Sequence, residues 1–307
     1  MLPLKYAAES SFRAGGCMYS VDMLRLCGRF LKLKDYDGQK SFYEWLTRMG
    51  ESAQLSYDHI EYTGGKIGKY RDLFNFEFAE DSTACLQIAP KLSTGKTDFV
   101  AWCFEFNPNK VADRREFCRL QSALLSRSKP TVDVKRYDFA VDFPAARNSC
   151  VLVKDQRIYK LVRAGAEDLT EYLGRRNAVG YCKLYNKALE RGLATDLTRL
   201  EVTLGYNLSY DEMLRIWPQC HVYGTGDLAA VQNLNDLHLS GGGQFAVRAV
   251  LREPALENEL YLFDPKTKKK LNEILEQFRQ AQVPSESVFR QIQNSIKFYL
   301  TPILTEN

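Results

Sequence analysis

Glu171 to Lys187 reads Glu-Tyr-Leu-Gly-Arg-Arg-Asn-Ala-Val-Gly-Tyr-Cys-Lys-Leu-Tyr-Asn-Lys. Two short apolar runs are separated by a glycine-bearing basic turn, which reads as two neighbouring strands. Alternate residues of a strand share a face. The second run therefore sets Tyr181, Lys183, Tyr185 and Lys187 on one side and Cys182, Leu184 and Asn186 on the other. A tyrosine flanked on its own face by two ammonium groups is placed to act as a nucleophile. The cations favour the phenolate and would hold a phosphate in front of it. The same pattern also fits a solvated strand edge carrying an ordinary tyrosine.

Outward from this stretch, parity organises two more segments. In 131–143, Arg136, Asp138, Ala140 and Asp142 share a face, and Tyr137, Phe139, Val141 and Phe143 share the apolar one. In 198–204, Arg199, Glu201 and Thr203 lie opposite Leu200 and Val202. Charged pairs inside apolar strands are costly unless they are paired or bind something. Two readings follow: a ladder of cross-strand ion pairs, or a carboxylate site for a hard divalent cation, Mg²⁺ or Mn²⁺. A strand rises about 3.3 Å per residue, so Asp138 and Asp142, about 13 Å apart, cannot share one ion without a bulge. The expected ligands are Asp138 and Glu201, with Asp142 at lower weight and Glu105 from a neighbouring strand. The three histidines, His59, His221 and His238, form no pair. Carboxylates are thus the metal ligands this chain can offer.

Four segments resemble the replication initiators of rolling-circle plasmids, the Rep_trans family. They are Phe104-Glu-Phe-Asn-Pro-Asn-Lys110, Arg136-Tyr-Asp-Phe-Ala-Val-Asp-Phe143, Glu171 to Lys187 with Glu190 following, and Thr198-Arg-Leu-Glu-Val-Thr-Leu204. They stand in the family's order at about its spacing. Tyr19-Ser-Val-Asp-Met23 is similar to the family's first strand. The resemblance covers most of the chain and is thinnest over the last 50 or so residues. It implies that Tyr185 attacks DNA at a plasmid origin, giving a 5′-phosphotyrosine and a free 3′-hydroxyl, with a divalent metal and without a histidine pair. Lys183, Lys187, Arg136 and Arg199 would stabilise charge on the phosphate and the phenolate. Tyr172 and Tyr181 would stack melted bases, and Arg175, Arg176, Lys268, Lys269 and Lys270 would contact DNA. The partners implied are single-stranded or cruciform origin DNA with flanking duplex, a host helicase, a DNA polymerase and a second copy of the chain. A relaxase of a conjugative element would use the same chemistry. A DNA-binding regulator would keep the fold without it.

The rest of the sequence bounds these readings. The chain has 307 residues, 45% hydrophobic and 26% charged, enough for one large domain or two small ones. A net charge of +4 is too mild to identify a nucleic-acid partner, though it allows a local basic groove. None of the eight cysteines forms a Cys-x-x-Cys pair, so a zinc site is not expected and a reduced cytoplasmic setting is, in a bacterium as the resemblance implies. No signal peptide or membrane-spanning run is read.

Element order points to an α+β chain, an antiparallel-rich sheet packed on helices, in two similar halves with a C-terminal helical appendage. The expected divisions are 1–128, a catalytic half at 129–255, and a helical segment at 256–307. Residues 20–33 are read as a strand running into a helix, from apolar residues at helical spacing. Helices are expected over 39–49, 111–127 and 209–216, and two more beyond residue 266. Gly64-Gly65 reads as a hairpin turn, and Ser240-Gly-Gly-Gly243 as a flexible loop.

Overall fold

The computed structural model describes residues 11–14, 17–31, 37–48, 60–67, 70–89, 100–111, 115–152, 156–165, 168–176, 178–205, 212, 222–224, 239–252, 254–275 and 286–300. At its centre β2 (Cys17–Arg29) pairs antiparallel with β7 (Asp133–Phe143). On the N-terminal side follow β6 (Ala101–Phe106), β5 (Ser82–Ala89), β4 (Tyr70–Ala79) and β3 (Ile60–Ile67). On the C-terminal side follow β12 (Thr198–Gly205), β11 (Tyr181–Asn186), β10 (Leu169–Leu173) and β9 (Tyr159–Arg163). Adding β1 (Ser11–Ala14) on β2 gives an 11-stranded sheet. A separate two-stranded ribbon joins β8 (Cys150–Leu152) to β13 (Val222–Gly224).

The halves share one topology. In each, the first strand lies at the centre, the last lies beside it, and the others run outward as a meander. Consecutive strands pair along each meander, while β2 with β6, β7 with β12 and the seam of β2 with β7 join segments distant in the chain.

One face of the sheet is apolar and covered. Helix α1 (Gly38–Arg48) lays Phe42 on Phe74, ring centroids 3.8 Å apart. A short α2 (Pro108–Val111) precedes α3 (Arg115–Ser126), whose Phe117 meets Phe106 at 4.7 Å. A five-residue α4 (Lys187–Arg191) follows β11 directly. Farther on come α5 (Gly241–Arg252), a 3-10 segment (Pro254–Leu262), α6 (Pro265–Leu275) and α7 (Glu286–Phe298). The terminal helices separate: Ile292, Ile296 and Tyr299 join the main core, while α5 and α6 build a small cluster of their own around Val247, Leu271 and Leu275. The main core runs unbroken through both halves.

Several local expectations are overturned. Residues 20–29 are strand, not helix. Register shifts between Val21 and Met23 and between Arg25 and Leu26 break the period of two, so Tyr19, Val21, Leu24 and Leu26 all stay on the buried face. This irregular spacing imitates a helix. Gly64 lies within β3, whose partners continue to Ile67, so the glycine pair is not the turn. The glycine run at 241–243 opens α5: the Gly243 amide donates to the Ser240 hydroxyl, an N-cap that offsets the glycines' poor propensity. Strand β5 has no counterpart in the sequence pattern. The helix expected at 209–216 falls almost wholly outside the described residues.

Candidate active site

The register turns three separated segments into one grid on the polar face. Lys183 stands opposite Glu201, and Glu201 opposite Ala140. One step along, Tyr185 faces Arg199, which faces Asp142. One step the other way, Tyr181 faces Thr203, which faces Asp138. Directly opposed residues of paired strands share a face. The Arg-x-Asp and Arg-x-Glu pairs and the Tyr-x-Lys pattern are therefore brought together by strand pairing alone. Gly205 ends β12 at φ 135°, where a Cβ would sit 2.4 Å from the Lys135 carbonyl oxygen. Glycine is needed for that approach at the irregularity of β7.

Tyr185 is buried, with 5% of its surface exposed, yet it does not belong to the apolar core. Polar neighbours cover it. Its phenol donates to Glu201 Oε1 at 2.5 Å. Lys187 Nζ donates to the phenolic oxygen at 3.3 Å and pairs with Glu190. Lys183 Nζ stands 3.8 Å from the ring centroid, a cation–π contact. Lys187 reaches the phenol because Asn186 ends the strand: its side chain caps α4 by accepting from the Leu189 amide. An extended chain would carry position i+2 about 6.6 Å onward; the helical turn folds it back.

The electrostatics reverse one expectation. Tyr185 is not biased toward phenolate. Burial raises its pKa well above the ordinary phenol value, the Glu201 charge and hydrogen bond add to the rise, and Arg199 only partly offsets them. Burial, the largest cause, outweighs the help expected from the flanking ammonium groups. Burial likewise pushes Glu201 up to about 7, with the Asp22 charge adding and Tyr185, Lys183 and Arg199 opposing. A neutral phenol held on a carboxyl that titrates near neutrality is an acid–base pair.

Arg199 is the hub of the site. It grips Asp142 with two hydrogen bonds, 2.5 and 2.6 Å, and reaches Asp22 Oδ1 at 2.9 Å. One guanidinium thus ties β12 to β7 and β2. Asp142, 2% exposed and held on both oxygens, serves this clamp. Arg136 holds Asp138 in the same two-pronged way at 2.9 and 2.5 Å. Glu105 pairs with Arg25, on the far side of β2 from Tyr185.

Asp22 joins the site without having been expected there. It sits at the irregularity in β2, where an extra residue re-aims a side chain. Burial works against its ionisation, but the Arg199 and Lys187 charges and hydrogen bonds from Asn107 and Glu201 hold its pKa below the usual value. Burial raises Asp138, the Asp22 charge adds, and Arg136 opposes. Asp22, Asp138 and Glu201 therefore sense one another. The hint in the sequence is the acid within Tyr19-Ser-Val-Asp-Met23, between apolar residues.

Comparison with known proteins adds little. No family model and no curated protein matches the chain. Among solved structures it is similar to the rolling circle replication initiator protein from Geobacillus stearothermophilus, at 15% identity, over 65% of this chain and 77% of that one, with a TM-score of 0.36. At that score the likeness carries no argument, and the chemistry rests on the grid around Tyr185.

The donor set suits a hard cation in kind: buried carboxylates whose mutual repulsion an ion would relieve. Among the described residues no group of three or more His, Cys, Asp or Glu side chains is gathered closely enough to hold one as they stand. Arg136, Arg199 and Tyr185 occupy the oxygens instead. The other expected DNA contacts are spread out. Tyr172 and Tyr181 stack at 6.1 Å beside the site. Arg175 and Arg176 are exposed in the turn between β10 and β11, and Lys268, Lys269 and Lys270 on α6, which packs with the small cluster. No described helix is long and apolar enough to cross a membrane.

Proposed function

We propose that the chain is a DNA nicking and closing protein that starts rolling-circle replication of a plasmid from its origin. The observation that carries this reading is the Tyr185 phenol hydrogen-bonded to Glu201 and flanked by Lys183 and Lys187, on a face it shares with Asp22, Asp138 and Arg199. The motif resemblance of those segments supports it.

Tyr185 gives its proton to Glu201 as its oxygen attacks the phosphorus. The bond between phosphorus and the 3′ oxygen breaks, and that oxygen leaves as a 3′-hydroxyl once protonated from solvent. The product is a 5′-phosphotyrosine. It keeps the phosphodiester energy, so attack by a 3′-hydroxyl rejoins the strand. Lys183 and Lys187 offset charge that builds on the phosphoryl oxygens and on the phenolic oxygen. Arg199 and Asp142 position strands rather than meeting DNA, since Arg199 is already engaged by two carboxylates. A Mg²⁺ or Mn²⁺ ion would supply polarisation of a non-bridging phosphate oxygen, but Asp22, Asp138 and Glu201 would have to draw together and leave Arg199, Arg136 and Tyr185 to hold one. The substrate is locally single-stranded DNA, such as a cruciform loop. Tyr172 and Tyr181 offer it a stacking platform. The freed 3′ end would prime a host polymerase behind a helicase, with two copies of the chain at the origin.

Incubating the protein with supercoiled origin plasmid and Mg²⁺ or Mn²⁺ should yield nicked circles covalently attached to protein. Undiminished nicking by Tyr185→Phe would overturn the assignment.

A further inference from the structure

The polar face does not end at Tyr185. Beyond β2 a row of opposed residues crosses the N-terminal half: Arg25, Glu105, Cys85, Asn75 and Glu61, on β2, β6, β5, β4 and β3 in turn. Above this row lies a half-open groove of about 790 Å³, with Met23 and Cys85 in its lining. It adjoins the candidate active site. Asn107 lines its inner end and donates to Asp22, the carboxylate that Arg199 holds. From Tyr185 on β11 the sheet order gives four strand spacings to Glu105 on β6 and six to Asn75 on β4, about 19 Å and about 29 Å.

The lining rejects a phosphate. It offers the carboxylates Glu61, Glu77, Asp81 and Glu105 against a single lysine, Lys110. It does not reject a base. A nucleobase is neutral, has flat apolar faces, and carries its polarity on its edge. Met23 and Cys85 give the faces something to lie on. Asn75, steadied by its 3.3 Å bond to Glu61, and the neighbouring Glu61 and Glu77 give the edge partners with an excess of acceptors. Paired acceptors select bases that present an amino group, whereas thymine presents a lone ring N–H between two carbonyl oxygens that carboxylates repel. Single-stranded recognition works in this way, with the backbone outside and splayed bases turned in.

We propose that this groove is a base-reading subsite: it takes one unpaired adenine, cytosine or guanine several nucleotides along the strand from the scissile phosphate and disfavours thymine. The proposal rests on the nicking reading for its substrate, and its test separates the two.

Fluorescent single-stranded origin oligonucleotides, each with one position near the nick changed to thymine, are titrated by anisotropy against the Tyr185→Phe protein without metal. One position should weaken binding about tenfold when thymine replaces the native base. In the same background Asn75→Ala and Glu61→Gln should level that ratio to about twofold or less. The ratio is the readout, because removing a negative charge raises affinity for every oligonucleotide alike. Both positions are on the surface side of the sheet, and melting curves matching the parent exclude misfolding. A flat thymine scan, a ratio intact in both variants, or no binding of any oligonucleotide overturns the subsite. Discrimination that survives in a protein whose wild type never nicks would sink the nicking reading and leave the subsite standing.

Discussion

The phenolic oxygen of Tyr185 lies 2.5 Å from Oε1 of Glu201 and donates its proton there. This bond joins β11 to β12 across the polar face and sets the protonation of both groups. Replacing Glu201 by Gln keeps the volume and removes the charge. The Tyr185 phenol should then titrate lower than in the wild type, because one of the causes of its raised pKa is gone. Tyrosine-selective NMR titration measures this. Nicking should fall at the same time by about 10²–10⁴-fold, the usual worth of a positioned base. Full nicking activity in Glu201→Gln would remove Glu201 from the proton path.

Arg199 is 2% exposed and bridges Asp142 and Asp22. Arg199→Met would strand two carboxylates in a buried site and should destabilise the fold by about 3–5 kcal/mol in urea unfolding. Adding Asp142→Leu should recover part of the loss, since the more buried orphan charge is gone. Additive losses in that double variant would mean that the two residues act independently.

The Tyr62 phenol donates to Asp72 at 2.7 Å, and this bond, with burial adding, pushes its pKa from 10.0 up to about 12. The folded value is raised, so the bond's contribution is complete below pH 10.0 and fades as pH climbs to about 12. The melting temperature of the wild type should exceed that of Tyr62→Phe at pH 8, and the gap should close through this alkaline window. A gap that stayed constant to pH 12 would contradict the linkage.

Lys268, Lys269 and Lys270 are exposed on α6, remote in the chain from Tyr185. If they meet duplex phosphates, changing all three to Gln should lower the slope of log K against log salt by about 0.9 for each phosphate no longer neutralised. Duplex affinity measured over a salt series tests this. Cleavage of a short single-stranded oligonucleotide should be untouched. An unchanged slope would return the cluster to the role of a solvated helix face.

How much of this can be read from the chain depends on range. Alternation alone correctly places Phe74 and Phe76, Leu184 and Tyr185, and Asp138 and Tyr137 on their faces, because side-chain direction in a strand is a local property. Where an extra residue enters, as at Asp22, the period slips and β2 takes on the spacing of a helix. The glycine run before α5 misleads for a related reason: propensity argues for a loop, while a capping serine and buried Val247 and Val250 favour a helix.

From its own order of residues, the chain determined which side chains share a face and which segments carry acid, phenol and ammonium groups. Only the tertiary structure decided their company. It set the Tyr185 phenol on Glu201 as well as beside its two lysines, Asp142 in the clamp of Arg199, and Asp22 at the centre of the site. The physical reason is that a pKa or an ion pair depends on burial and on the nearest charge. Those are fixed by the register of β7, β11 and β12 and by the seam with β2, none of which a single strand's pattern contains.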